Sequence, residues 1–383
     1  MLRKALAALF VLILLLAGYL TFAPVPIAPQ AWNAPVDAGY AGPFAVNHRL
    51  AELRYISLGA ESGPEHVAPG PDGLLYAAVA GGKILRMQAD GSALEVWAQT
   101  GGRVLGFDFD RRGNVVAADS IKGLLLIEAP AGAATAARIT VLADKVRVDG
   151  IDDPIRFADA VTVAQDGRIY FTDASRRFGA AQWGEFDASI LDIMEHSATG
   201  RVLVYDPQRQ TVEVVAHGLS FANGIALSAD EKALFVAETG AYRIWKVAAS
   251  ARNLDLKAGS GNGTQASVLL ANLPGYPDNL LRGRDGRIWA GLAKPRSAVA
   301  DKLAAHPFLR SMAARLPKAL WPLPPSYGHV FAFDETGRVT ADLQDPGGKY
   351  PETTGVTETA DRLYIQSLHA PRLGWLPKEG RGL

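Results

Sequence analysis

The sequence contains no cysteine among its 383 residues. Disulfide bonds, thiolate metal sites and cysteine nucleophiles are therefore excluded. The missing cysteines do not identify a cellular compartment, because a cysteine-free chain can also function in an oxidising one. The absence of cysteine therefore limits the possible types of functional site but does not indicate the cellular compartment.

The chain also lacks an excess of charge of either sign, with 39 Lys and Arg residues against 39 Asp and Glu residues. Nucleic acid is not expected as the main partner, because binding phosphates requires a basic surface. His-Glu-x-x-His, Walker-type loops and Gly-x-Ser-x-Gly are missing as well. The 39 Gly and 23 Pro residues are scattered, which favours many short strands over disorder.

The one long apolar run lies at the N-terminus. Arg3 and Lys4 precede an uncharged stretch that reaches Ala23, which is long enough for a slightly short transmembrane helix. We predict an uncleaved anchor over residues 1–23, and a cleaved signal peptide is the alternative. The basic residues should stay cytoplasmic, so the rest of the chain is expected outside, in a bacterial periplasm.

Residues 24–49 are rich in proline and poor in charge, which predicts an extended linker. From residue 50 to 383 the pattern changes to a tight turn followed by a short apolar strand. The six turns are centred on Asp72, Arg112, Asp166, Asp230, Asp285 and Asp361. Repetition at this period predicts an all-β fold, a six-bladed β-propeller. A β-sandwich or two unrelated β domains are the alternatives.

Two inserts lengthen the repeat, at residues 175–199 and 294–327. The second insert has the pattern of short amphipathic helices broken at Pro307 and Pro317. Each insert is a candidate for a lid over the channel or for a membrane-facing patch. The alternative is a helix packed on the propeller surface, which we favour for the second insert.

The residue seven places before each turn forms a second repeat. These six ring positions are Glu65, Leu105, Asp159, Asn223, Asp278 and Thr354. Equivalent positions in a propeller are related by its pseudo-symmetry. If the first strand of each blade lines the central channel, the six side chains form a ring at one depth.

Four ring positions carry oxygen ligands, and we call them the four candidate ligands: Glu65, Asp159, Asn223 and Asp278. Buried carboxylates are costly unless their charge is neutralised. Oxygen ligands without Cys or His match Ca²⁺, and match Mg²⁺ or Mn²⁺ less well. The ring therefore predicts a divalent metal site, most consistent with Ca²⁺. The alternative is that these residues cap strand ends by binding backbone amides.

Several segments resemble the strictosidine synthase-like branch of the gluconolactonase superfamily, including its membrane-associated members and their bacterial relatives. The resemblance extends over residues 60–376, and its clearest segments are Gly63-Pro64-Glu65, Phe157-Ala158-Asp159, Phe221-Ala222-Asn223-Gly224 and Pro277-Asp278-Asn279. It implies a six-bladed propeller with a divalent metal on its axis. Related enzymes hydrolyse lactones, esters or organophosphates at such a site.

The resemblance also implies roles for individual residues. The family's Glu ligand falls on Glu65, its two Asn ligands on Asp159 and Asn223, and its Asp ligand on Asp278. Asp159 departs from the usual Asn, and its extra charge should tighten metal binding and weaken the Lewis acidity of the metal. We expect a membrane-anchored, metal-dependent hydrolase of a small-molecule ester or lactone, with Asp278 as general base or nucleophile.

Two other functions remain open. A propeller with a structural Ca²⁺ can be a non-catalytic, membrane-tethered binding module, because one fold serves many functions. Strictosidine synthase itself uses a Glu of its last blade, and the corresponding Thr354 disfavours lyase or synthase chemistry here.

The remaining polar signals are weaker. His66 adjoins Glu65, but strand alternation directs its side chain to the opposite face, towards core or surface. His329 begins a strand and is a minor candidate to approach the channel. Asn262-Gly263-Thr264 matches the N-glycosylation pattern, which has meaning only in a eukaryotic secretory setting.

Overall fold

The computed structural model describes residues 1–130, 136–257, 264–321 and 323–379. Asn262 and Gly263 of the glycosylation pattern lie outside these ranges. The chain begins with helix α1 (Leu2–Phe22), which has 21 residues and no buried side chain. Its length and hydropathy are sufficient to cross a membrane, in agreement with the sequence prediction.

Short strands form most of the remaining chain, in the six-bladed arrangement that the repeats predict. β1 (Arg54–Ser57) comes first in the chain but belongs to the last blade. Blade 1 contains β2 (His66–Pro69), β3 (Leu75–Val79), β4 (Lys83–Met87) and β5 (Glu95–Gln99). Blade 2 contains β6 (Val104–Phe109), β7 (Val115–Asp119), β8 (Gly123–Glu128) and β9 (Arg138–Ala143).

A hairpin of β10 (Lys145–Val148) and β11 (Ile151–Pro154) precedes blade 3. Blade 3 contains β12 (Ala158–Val163), β13 (Ile169–Asp173), β14 (Gly200–Asp206) and β15 (Thr211–Leu219). Blade 4 contains β16 (Ala222–Leu227), β17 (Ala233–Glu238), β18 (Arg243–Ala248) and β20 (Ala266–Leu270), while β19 (Leu254–Asp255) pairs with β15 as a fifth strand of blade 3.

Blade 5 contains β21 (Gly275–Arg282), β22 (Ile288–Pro295), β23 (Gly328–Phe333) and β24 (Val339–Asp345). Blade 6 contains β25 (Thr353–Glu358), β26 (Arg362–Ser367), β27 (Arg372–Pro377) and β1. The pairing of β1 with β27 joins the two ends of the propeller, with Arg54 opposite Trp375. Such closure removes an unpaired sheet edge.

The first strand of every blade contacts the first strand of the next blade, and β25 contacts β2 to complete the circle. Neighbouring blades cover both faces of the second strands. Strand β17 is therefore buried along its whole length, and its sequence is a continuous apolar run up to Glu238.

Glycine makes the close approach of the inner strands possible. A Cβ atom on Gly224, directly after Asn223, would lie 2.4 Å from the carbonyl oxygen of Asp278 on the next blade. A Cβ atom on Gly106 would lie 2.9 Å from the carbonyl oxygen of Asp159. A larger residue at either position would push neighbouring ring positions apart, which explains the glycine in the Phe-Ala-Asn-Gly segment.

Both inserts are helical. The first, called the α2–α3 insert, contains α2 (Ala180–Trp183) and α3 (Glu185–Glu195). The second, called the α4–α5 insert, contains α4 (Ala298–Leu303), α5 (Pro307–Ala314) and a 3-10 turn (Lys318–Leu320). Two further 3-10 turns lie at Gly42–Phe44 and Thr239–Ala241. Pro307 begins α5 and Pro317 precedes the 3-10 turn, so the expected breaks are confirmed.

The linker does not extend freely from the helix but packs along the propeller. Ile27 is buried, and the ring of Trp32 stacks on His196 with 4.0 Å between ring centroids. Arg310 of the α4–α5 insert donates to the carbonyl oxygen of Gln30 over 2.8 Å. The few charges in this segment therefore allow its side chains to pack against the propeller.

Candidate metal centre and its cavity

The propeller brings the four candidate ligands to equivalent places. Glu65 directly precedes β2, while Asp159 and Asn223 are the second residues of their inner strands. Asp278 lies within β21. All four side chains are at least 94% buried and border one cavity together with Leu105. The offset of seven residues thus identified neighbouring positions in the fold.

The backbone is irregular at the ring positions. The register of β12 shifts between Ala158 and Val161, and that of β16 shifts between Ala222 and Ile225. Comparable shifts occur in β6, β21 and β25. β-Bulges redirect side chains and are frequent beside active sites. Here they accompany Asp159 and Asn223, which border the channel.

The ring concentrates negative charge in a buried place. Burial raises the pKa of Glu65 to about 7, although Arg103 opposes the shift. Burial and then the Glu65 carboxylate raise the pKa of Asp159 well above its usual value. Burial, Glu65 and Asp159 do the same to Asp278. These shifts are the electrostatic signature of carboxylates that lack a compensating charge.

Among the described residues, Arg103 is the cation that pairs with a ring carboxylate. Nη2 of Arg103 lies 3.9 Å from Oε2 of Glu65, and Nε lies 3.6 Å from Oε1 of Glu185 at the start of α3. Arg103 is 3% exposed, and its Nε and Nη1 atoms have no hydrogen-bond partner. Because Arg103 also pairs with Glu185, it does not neutralise the three ring carboxylates, and a divalent cation would supply the missing positive charge.

Neighbouring polar residues orient the ring. Nδ2 of Asn279 donates to Oε1 of Glu65 over 3.2 Å and to its carbonyl oxygen over 3.1 Å. Thr354, the sixth ring position, is fully buried and donates its hydroxyl to the same carbonyl over 3.1 Å. Thr354 is therefore a structural residue rather than a group presented to a ligand.

Strand capping does not explain most of the ring, because other residues perform it. Asp173, at the end of β13, accepts the backbone N–H of Phe157 over 2.9 Å. Glu238, at the end of β17, accepts the backbone N–H of Ser220 over 2.9 Å. Asp278 accepts the N–H of Asn279, so a capping bond exists at one ring position. Residues at the ends of the second strands therefore bind the backbone N–H groups, so most of the ring oxygens remain available for a ligand.

The chemistry of the donors fits a divalent cation. Oε2 of Glu65 and Oδ1 of Asn223 are buried and have no hydrogen-bond partner. The Asn223 side chain bonds to the Asp278 carboxylate; because Oδ1 of Asn223 can only accept, its Nδ2 is the donor and its oxygen stays free. Three carboxylates and one amide oxygen form a hard donor set suited to Ca²⁺.

Within the described ranges, no three Asp, Glu or His side chains already lie close enough together to form a metal cluster. Two features of the ring are consistent with the lack of such a cluster among the described residues. One of the four candidate ligands is an amide, and three carboxylates repel one another at short range unless a cation lies between them. The ring is an oxygen-rich site that a cation would draw together.

An apolar cavity lies over the ring, and the space open to the centre of a water molecule within it is about 160 Å³. The α2–α3 insert borders it with Phe186, Ile190 and Ile193. The α4–α5 insert borders it as well, with Leu303 and Trp321. Packing on the propeller surface was the favoured prediction for the second insert, and the structure shows that this insert also forms part of the cavity wall.

The cavity contains polar groups that lie outside the repeat pattern. Lys294 and Glu352 both border it and form an ion pair of 2.9 Å between Nζ and Oε1. Glu352 has a left-handed backbone with a φ of 52° and lies two residues before Thr354. Arg103 and Asn279 also lie off the counted positions, Arg103 two residues before Leu105 and Asn279 one residue after Asp278.

The histidines contribute no ligand to the ring. His66 packs against Phe107 with 4.7 Å between ring centroids, and burial lowers its pKa to about 4. His329 lies in the third strand of blade 5 and binds Oδ1 of Asp342 through Nε2 over 2.6 Å. The suggestion that His329 approaches the channel is wrong, because its strand is not an inner strand.

Comparison with known proteins gives consistent results. The family model for strictosidine synthase matches residues 159–252, and that for the strictosidine synthase-like N-terminal region matches residues 42–87. An adipocyte plasma membrane-associated protein of Salmo salar is 30% identical over 91% of this chain and 83% of its own length. Strictosidine synthase-like protein 7 of Arabidopsis thaliana is 31% identical over 78% and 74%, respectively.

Solved structures share the fold at low sequence identity. A gluconolactonase from Xanthomonas campestris has a TM-score of 0.58 at 19% identity, covering 91% of this chain and 98% of its own. A calcium-binding protein, regucalcin, from Agrobacterium tumefaciens has a TM-score of 0.53 at 14% identity, covering 85% and 93%.

Proposed function

The chain belongs to the strictosidine synthase-like family, and on that premise we propose that it is a membrane-anchored, divalent-metal-dependent hydrolase of lactones or esters. The observation that carries this proposal is the ring of four buried oxygen ligands, two of which keep an unpartnered oxygen atom. The similarity to a gluconolactonase and to a calcium-binding regucalcin supports the choice of substrate and metal.

Each residue of the site has a role in this proposal. Glu65, Asp159, Asn223 and Asp278 would hold the cation, which would polarise the carbonyl group of the substrate. The apolar cavity would bind the body of the substrate and exclude bulk water.

Asp278 would also act on the attacking water. Its carboxylate would accept a proton as the water oxygen bonds to the acyl carbon. The acyl carbon–oxygen bond then breaks, and the proton passes to the leaving alkoxide. An ester gives an acid and an alcohol, whereas a lactone gives one hydroxy acid. Direct attack by the Asp278 carboxylate on the acyl carbon is the other possible route.

The test replaces Asp278 by Asn in the full-length chain. We expect at least a ~100-fold loss of kcat for an aryl ester or lactone, with unchanged circular dichroism, because the base is removed without a change of shape. Asp285→Asn is the matched control, since this residue lies seven positions further in the same blade with a side chain that is 77% exposed. Unchanged turnover in Asp278→Asn would refute the catalytic assignment.

A single-turnover reaction in oxygen-18 water distinguishes the two routes. General-base catalysis places the heavy oxygen in the first molecule of acid product. Nucleophilic catalysis instead forms a mixed anhydride and releases the leaving alkoxide; when water then attacks the carboxyl carbon of Asp278, the first acid product carries an unlabelled oxygen and the label enters Asp278.

A further inference from the structure

The carboxyl end of α1 is attached to the insert that borders the cavity. The guanidinium group of Arg315, which follows α5, donates to the carbonyl oxygens of Ala23 and Leu20, the latter over 3.0 Å. The hydroxyl of Tyr19 donates to the carbonyl oxygen of Arg315 over 3.2 Å. Trp321 packs in one apolar cluster with Ile27, just beyond the helix. These contacts fix the α4–α5 insert beside the point where α1 ends.

The length of α1 sets the depth of that point in a bilayer. Its 21 residues correspond to about 31 Å, close to the ~30 Å thickness of a hydrocarbon core. A helix that spans the core therefore ends at the headgroup level. Tyr19 lies near this end, as is typical of interfacial aromatic residues. The insert attached to it would lie at the same level.

The α4–α5 insert exposes an unusual amount of apolar surface. Beyond residue 22, the described residues include thirteen large hydrophobic side chains that are exposed, and five of them fall within residues 298–323. They are Val299, Phe308, Leu309, Leu320 and Leu323. Leu320 is 63% exposed, although it lies only a few residues from the contacts with α1. Exposed apolar groups at this density mark an interaction surface.

The same insert connects this surface with the cavity. Leu323 is 41% exposed to solvent and also borders the cavity over the ring. Arg310, on the helix that exposes Phe308, is itself buried and holds α5 to the carbonyl oxygen of Met194 on the α2–α3 insert. The exposed apolar face of the insert and the wall of the cavity therefore meet at Leu323.

We infer that the exposed face of the α4–α5 insert lies in the lipid headgroup region around α1, and that the cavity takes an amphiphilic ester or lactone directly from the bilayer. The first part concerns a lipid surface and stands independently of catalysis. The second part rests on the proposed hydrolase function. The reacting carbonyl would reach the ring while the hydrocarbon chain remains in the apolar cavity and its mouth.

The absence of cysteine permits a direct test of the surface. Leu309→Cys and Leu320→Cys each introduce one thiol for a fluorophore in the full-length chain, reconstituted in vesicles of phosphatidylcholine and phosphatidylglycerol. Val96→Cys and Val141→Cys are controls, because both side chains are similarly exposed but lie on the outermost strands of blades 1 and 2.

Lipids that carry a nitroxide near the headgroup should quench the labels at 309 and 320 by roughly half, because an interfacial surface lies within reach of the upper acyl chain. The two controls should be almost unaffected. Equal, weak quenching at all four positions would overturn the docking of the insert, whatever the enzymatic result.

The substrate class is tested with 4-nitrophenyl esters of increasing acyl length in the same vesicles. We expect kcat/KM to rise about two- to fourfold per added methylene until the cavity is filled. The double variant Leu309→Asp/Leu320→Asp should lose this rise and retain turnover of the shortest ester. A flat dependence on length in the wild type would refute the substrate class. Absence of turnover for every ester would instead refute the proposed function, while the quenching result still decides the docking of the insert.

Discussion

At the scale of single residues, the candidate site depends on which of the six ring positions carry a carboxylate and which do not. Leu105 occupies a ring position without a ligand atom, and Thr354 uses its hydroxyl to bind the carbonyl of Glu65. The four candidate ligands therefore belong to blades 1, 3, 4 and 5, and Glu65 lies across the axis from Asn223. Asn223 would supply the neutral ligand of the proposed metal site, since its amide side chain bonds to Asp278 and its Oδ1 atom has no hydrogen-bond partner.

Asp159 should tune the affinity and reactivity of the metal in opposite directions. Asp159→Asn removes one negative charge from the ring, so Ca²⁺ affinity should fall roughly tenfold or more. At saturating Ca²⁺, kcat should rise, because a less neutralised cation polarises a carbonyl more strongly. Calorimetric titration and steady-state kinetics measure the two quantities.

The matched control is Asp166→Asn, in the turn that follows Asp159 on the same blade. This variant should leave both quantities unchanged. Tighter Ca²⁺ binding in Asp159→Asn would show that this carboxylate is not a ligand.

Sequence reasoning could identify ring residues but not their supporting partners. The offset of seven works because turn and inner strand have a constant length in each blade, so Glu65 and Asp278 are found by counting. Arg103 and Glu352 lie in segments just before inner strands. Their contribution depends on how those segments fold over the channel, which no periodic pattern reports.

At the scale of elements, the helical inserts and the linker act together. The α2–α3 insert ends at His196, whose backbone is left-handed with a φ of 54°. The imidazole of this residue stacks on Trp32 of the linker, and its Nδ1 bonds to the hydroxyl of Ser220 over 3.0 Å. One side chain thus connects the insert, the linker and the segment that leads to Asn223.

This connection should weaken in acid. Burial, assisted by the positive charges of Arg310, Arg243 and Lys257, lowers the pKa of His196 from 6.5 to about 3. Between these two values the unfolded chain takes up a proton that the folded chain does not. Stability should therefore fall as the pH decreases below about 6.5, by about 2 kcal/mol at pH 5 from this residue.

Denaturant unfolding at pH 7 and pH 5 measures the effect by comparison with His196→Asn. Asparagine tolerates the left-handed backbone and does not titrate. The wild type should lose about 2 kcal/mol more than the variant between the two pH values. Identical losses would mean that His196 is not held neutral by the fold.

The sequence predicted both inserts and the helices of the second one, but not where the inserts lie. Amphipathic spacing and the two prolines define the helices of the α4–α5 insert. The same apolar stripe suits packing on a blade, covering a channel or contacting a bilayer. Only the folded structure shows that Leu303 and Trp321 face the cavity.

At the scale of the whole molecule, closure of the propeller depends on a strand far away in the sequence. β1 precedes blade 1 and completes blade 6, with Ile56 opposite Leu373 and buried among apolar residues of both blades. The repeat pattern predicted six units but not that β1 would complete blade 6. A strand of four residues with one buried side chain has no sequence pattern that distinguishes it from a loop. β1 can pair with β27 only when the six blades close into a circle.

Disrupting this strand should destabilise the entire domain. Ile56→Asp places an unpaired charge between two blades and should cost about 3 kcal/mol or more. Ser57→Asp, at the neighbouring exposed position, is the control and should cost less than about 0.5 kcal/mol. Thermal unfolding of both variants measures the difference. Equal stabilities would show that β1 is dispensable for closure.

The metal centre itself is tested most directly by counting bound metal. The full-length chain is freed of metal with a chelator and dialysed against Ca²⁺, and its calcium content is measured by mass spectrometry. We predict one Ca²⁺ per chain in the wild type and in Asp285→Asn, and almost none in Glu65→Gln/Asp278→Asn. A wild type without bound calcium, or a double variant that binds as much as the wild type, would contradict the assignment of the ring as a metal site.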